Sequence, residues 1–150
     1  MTDIETPHEL LLVNHYNATP EQVWAAWTEP ESLAQWWAAP DWIVSDVVLE
    51  AWPRGRFHQV QAAPDGSMEI PFDGFYRVVE APNTLVFTLS DAPSPDDEAR
   101  TVLTVELSAV DGGTEQRFSQ TGIVTDEHFE ALKGGTIMFF GRLEEFLAKK

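Results

Sequence analysis

Residues 125–150 read TDEHFEALKGGTIMFFGRLEEFLAKK. Apolar side chains at Phe129, Leu132, Ile137, Phe139, Phe140, Leu143, Phe146 and Leu147 approximate one broad face at helical spacing, so the stretch predicts a single long helix from Asp126 to about Lys149. Thr125 or Asp126 supplies the cap, and Lys149 and Lys150 sit where the negative end of the helix dipole favours cations. Gly134, Gly135 and Gly141 run against this pattern, because each costs about 1 kcal/mol relative to Ala in a helix interior. Two readings account for them: a kink or close packing against a neighbouring layer, or room left for a guest molecule.

Upstream of this helix the period is that of strands. From Trp42 onward, strands are expected at about Ile43 to Glu50, Arg56 to Ala62, Met68 to Glu80, Thr84 to Ser90, Thr101 to Val110 and Thr114 to Thr121. Pro64-Asp65-Gly66 and Asp111-Gly112-Gly113 tolerate positive φ, and Ala81-Pro82-Asn83 presets a turn, so successive strands are joined antiparallel. Asp91 to Ala99, DAPSPDDEA, reads as a longer acidic, solvated connection, with a lid as its other reading. Nearer the N-terminus, Leu10 to Tyr16 is a β-compatible run. Thr19-Pro20-Glu21-Gln22 then starts a helix with a cap, a proline at the first turn and a capping-box partner. Glu29-Pro30 stops that helix, and Glu31 to Trp37 predicts a second, short one. One strand, two short helices, six strands and a long helix cannot be doubly wound. The fold class is α+β: a curved antiparallel sheet of about seven strands, order β-α-α-β6-α, wrapped around the C-terminal helix. Such a grip either fills its interior with side chains or keeps a cavity.

The chain has 150 residues, the size of a single domain spanning 1–150. Its 9 Lys and Arg against 25 Asp and Glu give a formal net charge of -16. Nucleic-acid binding needs clustered cations and is excluded as a partnership, and an anionic membrane surface is disfavoured by the same sign. Without cysteine there is no disulfide, thiolate metal site or cysteine nucleophile. The N-terminus lacks the basic and apolar regions of a secretory signal, and no apolar run approaches the ~20 residues of a membrane span. These features point to the cytoplasm. Six Trp and nine Phe are the outstanding feature under so acidic a composition.

The order of motifs resembles a known family. Ala18-Thr19-Pro20-Glu21-Gln22-Val23-Trp24, Trp27-Thr28-Glu29-Pro30-Glu31-Ser32-Leu33 and Trp36-Trp37 are similar to the start of domains like the C-terminal part of the activator of heat-shock protein 90 ATPase. GFYRVVEAPNTLVFT at 74–88, Gly112-Gly113-Thr114, and the glycine-containing helix ending Leu143-Glu144-Glu145-Phe146-Leu147 follow in the same order. The resemblance runs from about residue 8 to 148. It implies the START-like (SRPBCC) superfamily and its helix-grip fold with a cavity between sheet and helix, and it brings a stress-response setting into view. It does not fix a biochemical activity, because the superfamily hosts binders, cyclases and chaperone activators. Two departures stand out. The family commonly places Trp after the helix glycine, where this chain has Thr136 after Gly135, which implies a larger or differently shaped pocket. Paired glycines before the third strand are reduced to Gly55 in Pro53-Arg54-Gly55-Arg56. The separate N-terminal domain of the full-length activator has no counterpart in these residues, which weakens the case for a chaperone partner.

The chemistry-bearing residues are sparse. His8, His15, His58 and His128 lie in no metal-ligand spacing and read as structural or surface groups, and no nucleophile elbow or phosphate loop occurs. Asp46 and Asp73 lie in strands where an inward turn would give a carboxylate a shifted pKa. Arg77 and Arg117 could each place one cation inward. The aromatic set carries more. Alternation puts Phe72, Tyr76 and Val78 on one face and Leu85, Phe87 and Leu89 on one face of the next strand. With Trp36, Trp37, Phe57, Phe118, Phe139, Phe140 and Leu143, the residues Phe72, Tyr76 and Phe87 form the candidate ligand-binding set. The first reading is therefore a binder of a small apolar or aromatic, lipid- or polyketide-like ligand, without a cofactor or metal. The second is a cyclase or dehydratase on the same cavity, drawing on His15, His58, Tyr76 or Asp73. The third is a chaperone-activator-like interaction module using the acidic surface. A homodimer stays open on general grounds.

Overall fold

The computed structural model describes residues 4–89 and 101–149. Its elements are β1 (Thr6–Tyr16), α1 (Pro20–Thr28), α2 (Pro30–Leu33), β2 (Ile43–Leu49), β3 (Arg56–Ala62), β4 (Glu69–Glu80), β5 (Thr84–Leu89), β6 (Thr101–Val110), β7 (Gly113–Val124) and α3 (Asp126–Ala148). The strands form one seven-stranded sheet in the order β1-β7-β6-β5-β4-β3-β2, with every neighbouring pair antiparallel. This is the expected α+β helix grip. The expected loop at Asp91 to Ala99 lies outside the described residues.

Local chemistry sets the element ends. Thr19 and Gln22 close a reciprocal capping box: the Gln22 amide donates to Thr19 Oγ1 at 3.1 Å, and the Thr19 amide donates to Gln22 Oε1 at 2.8 Å. Thr125, rather than Asp126, caps α3 by accepting from the His128 amide at 3.0 Å. The second short helix stops at Leu33 instead of reaching Trp37. Neighbouring residues on a helix diverge by about 100°, so a continued helix would turn one of two adjacent tryptophans outward. The turns after Leu33 instead bury both Trp36 and Trp37.

Two bulges correct the simple alternation. Tyr76 pairs with Phe87 but Val78 pairs with Val86, so Arg77 is the extra residue. Beyond it, Val79 packs on the core, Val78 no longer shares the face of Phe72 and Tyr76, and Arg77 is exposed. In β2, Asp46 and Val47 oppose Gln59 alone, and Asp46 takes a φ of 54° on the exposed side. The lone Gly55 is fixed by close approach, since a Cβ there would lie 1.8 Å from the Glu50 carbonyl oxygen.

The core sits between the inner sheet face, the two short helices and α3. Phe57 stacks on Phe87 with centroids 4.8 Å apart, and Phe118 meets Phe140 edge to face at 5.0 Å. On α3 the buried positions are Thr136, Phe140, Leu143 and Leu147, a spacing of four, three and four. Ile137, expected on the apolar face, is 50% exposed. Leu143→Ala should therefore cost about 2–5 kcal/mol of stability, whereas Ile137→Ala should stay within about 0.5 kcal/mol, both read from urea unfolding followed by circular dichroism.

Candidate functional site

A cavity of about 380 Å³ opens between the first half of α3 and the sheet. His128, Ala131, Leu132, Gly135, Thr136 and Phe139 line it from α3. These positions recur at three- and four-residue intervals, one stripe of the helix. The facing wall consists of Ile70 and Phe72 from β4, Leu89 at the end of β5, Thr101 at the start of β6 and Gln120 from β7, with Trp37 from the turn after α2. Ala131 is exposed while lining the cavity, so the space reaches the surface along the helix.

Two adjacent residues keep the space open. A Cβ built at Gly135 would meet nothing within 4 Å, and the same holds at Gly134 and Gly141. Close packing against the sheet therefore does not explain these glycines. Gly135 borders the cavity, whereas Gly134 and Gly141 are exposed. Beside it, Thr136 is only 5% exposed and presents a small side chain to the same space.

The ten residues of the candidate set divide. Trp37, Phe72 and Phe139 line the cavity. Trp36, Phe57, Tyr76, Phe87, Phe118, Phe140 and Leu143 are instead sealed in the packed core, because they converge where the second half of α3 lies against the sheet. The reading from sequence omitted Ile70, Leu89, Thr101, Gln120 and His128 as lining residues. Gln120 could have been found by alternation, since it shares the inward face of β7 with Phe118. His128, read as structural or surface, borders the cavity from the first turn of α3.

The polar groups around the cavity are connected in a directed way. Thr101 Oγ1 donates to the Leu89 carbonyl at 3.1 Å, and Gln120 Nε2 donates to Thr101 Oγ1 at 3.0 Å. The buried indoles of Trp27 and Trp36 donate to Gln116 Oε1 at 2.9 Å and to the Ala26 carbonyl at 3.1 Å, while the buried N–H of Trp37 meets no acceptor among the described residues. Gln61 Nε2 holds the Trp37 carbonyl at 2.9 Å.

The residues considered for proton chemistry are dispersed. His15 is exposed on β1. His58 Nδ1 lies 2.7 Å from Asp73 Oδ1, but this pair, joined by Arg56, occupies the outer sheet face opposite Phe57 and Gln59. Tyr76 turns inward, where burial holds its hydroxyl well above the ordinary tyrosine pKa, so it stays protonated, and the hydroxyl meets no partner among the described residues. Arg117 is exposed and pairs with Glu115 at 2.8 Å. Among the described residues, no three His, Asp or Glu side chains converge as metal ligands, and no helix is long and apolar enough to cross a membrane. A second cleft of about 230 Å³ is bordered by Gln35, Arg142, Glu145, Phe146 and Lys149, and Arg142 Nη1 there donates to the Ala38 carbonyl.

The family described as Activator of Hsp90 ATPase homolog 1-like protein matches residues 17–148. The chain belongs to this family. Solved structures similar to this family member include a protein from Rhodobacter sphaeroides, 28% identical, with 94% of this chain and 92% of that one covered and a TM-score of 0.78. The AHSA1-like protein from Aeromonas hydrophila is 25% identical, with 92% and 93% covered and a TM-score of 0.75. A protein from Nitrosomonas europaea, 24% identical over 94% of both chains, has a TM-score of 0.82 and supports the fold. No curated protein matches this chain significantly.

Open space around the glycines has a measurable consequence in this family member. Gly135→Ala and Gly141→Ala should each raise stability by up to about 1 kcal/mol, because alanine gains helix propensity and meets no obstacle. The corresponding rise in melting temperature is about 2–4 °C. A fall at Gly135 alone would mean that the helix approaches the sheet more closely there.

Proposed function

We propose that this protein binds a small, largely apolar or aromatic molecule in the cavity between the sheet and the first half of α3. The observation that carries the reading is the pair Gly135-Thr136, which together with Phe139 of the same helix borders an open space where α3 faces Trp37 and Phe72. The volume falls at the low end of the ~300–1,000 Å³ typical of small-molecule pockets. Burying apolar guest surface supplies about 25 cal/mol per Å² removed from water, and the few polar lining groups set orientation. Trp37, Phe72 and Phe139 are the aromatic contacts of this reading, and the remaining seven candidates support the wall from behind.

The geometry favours binding over proton transfer. A cyclase or dehydratase needs an acid and a base facing one space, whereas the inward Tyr76 hydroxyl is buried among Phe57 and Phe87 and the His58–Asp73 pair faces outward. A chaperone-activator role draws on family likeness, and the cavity adds no support to it. We place the binding in the cytoplasm, on the composition set out above.

The test is a thermal-shift and native mass-spectrometry screen against neutral lipids, polyketides and flavonoids, run with Thr136→Trp in parallel. A ligand at 100 times its Kd should stabilise the protein by about 2.7 kcal/mol. Thr136→Trp places a large aromatic side chain in the cavity, where the family pattern commonly carries one, and should weaken binding at least about tenfold while the protein stays folded. Equal binding by the variant, or no hit in the screen, would remove the proposal.

A further inference from the structure

Resting on that reading, we infer that the guest is uncharged and carries a hydroxyl or N–H group that donates to Gln120 Oε1. The argument begins at the Leu89 carbonyl. A carbonyl oxygen only accepts, so the Thr101 hydroxyl hydrogen is committed to it across 3.1 Å. Thr101 Oγ1 is then an acceptor toward Gln120, 3.0 Å away, and only the carboxamide nitrogen can satisfy it. The reverse orientation would set the amide oxygen against an oxygen with no hydrogen to give. The relay therefore fixes which end of the amide is free. Gln120 Oε1 takes no hydrogen bond from any described residue, on a side chain that borders the cavity.

A fixed acceptor selects among guests. A hydroxyl or N–H placed against it gains a hydrogen bond, whereas an ether or ketone oxygen in the same place meets another acceptor and gains none. Charge selects as well. Among the described residues no Lys, Arg, Asp or Glu lines the cavity, so an anionic guest would find no Lys or Arg partner there, inside a protein whose own charge is -16. The class that fits is a neutral aromatic or alicyclic alcohol, phenol or N–H heterocycle. Gln120 is on this reading a specificity-determining residue, and Thr101 positions it.

Isosteric naphthalenes separate the possibilities by calorimetry: 2-naphthol as donor, 2-methoxynaphthalene as acceptor only, 2-methylnaphthalene as apolar control and 2-naphthoate as anion. The full-length protein should bind 2-naphthol about tenfold more tightly than 2-methylnaphthalene, the equivalent of one net hydrogen bond. It should not distinguish the methoxy from the methyl probe, and it should bind 2-naphthoate more weakly than all three. In Gln120→Met the naphthol-to-methyl ratio should collapse toward one. In Thr101→Val the amide is released to flip, so the methoxy probe should gain over the methyl probe, an effect that simple loss of packing would not produce. Equal affinities for naphthol and methylnaphthalene in the unmodified protein would overturn the inference while leaving cavity binding intact. Tightest binding of 2-naphthoate would overturn it too. If none of the four probes binds, the underlying reading and this inference fall together.

Discussion

The indole of Trp27 joins three layers of this protein at once. It lies on α1, yet its ring is stacked over Phe118 of β7 at 6.3 Å, edge-on to Phe87 of β5 at 6.3 Å and edge-on to Phe140 of α3 at 5.9 Å. Trp36 and Trp37 close on it at 4.8 and 5.5 Å. Edge-to-face and offset aromatic pairs contribute ~0.5–1.5 kcal/mol each beyond their burial, so this one side chain couples elements far apart in sequence. The hydrogen bond from its N–H to Gln116 Oε1, at 2.9 Å in a buried setting, fixes the orientation of the ring. An indole rotated away would lose the stacking and leave that donor unmet. The capping box at Thr19 and Gln22 matters because it sets the start of the helix that delivers Trp27.

This anchoring is asymmetric, and the asymmetry makes the cavity. Phe140, Leu143 and Leu147 hold the second half of α3 against the aromatic cluster, while the first half carries Ala131, Gly135 and Thr136 toward the sheet. Small residues there do not draw the helix in, because the rigid second half sets its distance from the sheet. A helix of 23 residues is about 35 Å long, long enough for one end to be clamped while the other spans a gap. Ile137 illustrates the geometry: adjacent to Thr136, it points to solvent, and the stripe passing through 136, 140, 143 and 147 is the one that faces the core.

Most of the fold was legible because it rests on local signals. Thr19-Pro20-Glu21-Gln22, the turn at Asp111-Gly112-Gly113 and the period switch near Trp42 are each read within a few residues, and the strand and helix positions follow. The bulges at Asp46 and Arg77 were not legible, because an extra residue in one strand is fixed by its partner and leaves no local mark. That one-residue insertion moved Val79 inward and Val78 out of line with Tyr76. The cavity was half-legible for a similar reason. Gly135 and Thr136 flagged the opening, but whether an inward aromatic lines a gap or fills it depends on where the opposing helix is held. Phe72 and Phe139 fell on the open side, and Phe57, Phe87 and Phe118 on the clamped side. Of the polar lining only Thr136 was flagged: Gln120 and Thr101 carry no motif, and His128 read as structural or surface, whereas the face each shares with hydrophobic neighbours is what brings it to the cavity.

The size of the cavity constrains what can occupy it. A sealed apolar void costs about 24 cal/mol per Å³, which for 380 Å³ is on the order of 9 kcal/mol, as large as the whole stability of many domains. A domain of 150 residues could not carry such a void dry. The wall answers this in its composition: Ala131 is exposed, and Thr101, Gln120, His128 and Thr136 put polar side chains into a mainly apolar surface, so solvent can enter and be hydrogen-bonded there. On the proposed reading, a guest gains by covering Phe72, Phe139 and Leu132, provided that it also donates to Gln120 Oε1. A purely hydrocarbon guest leaves that acceptor unmet, and a charged one gives up far more hydration than the cavity returns. The same features that let the fold tolerate an open interior thus narrow the chemistry of whatever fills it.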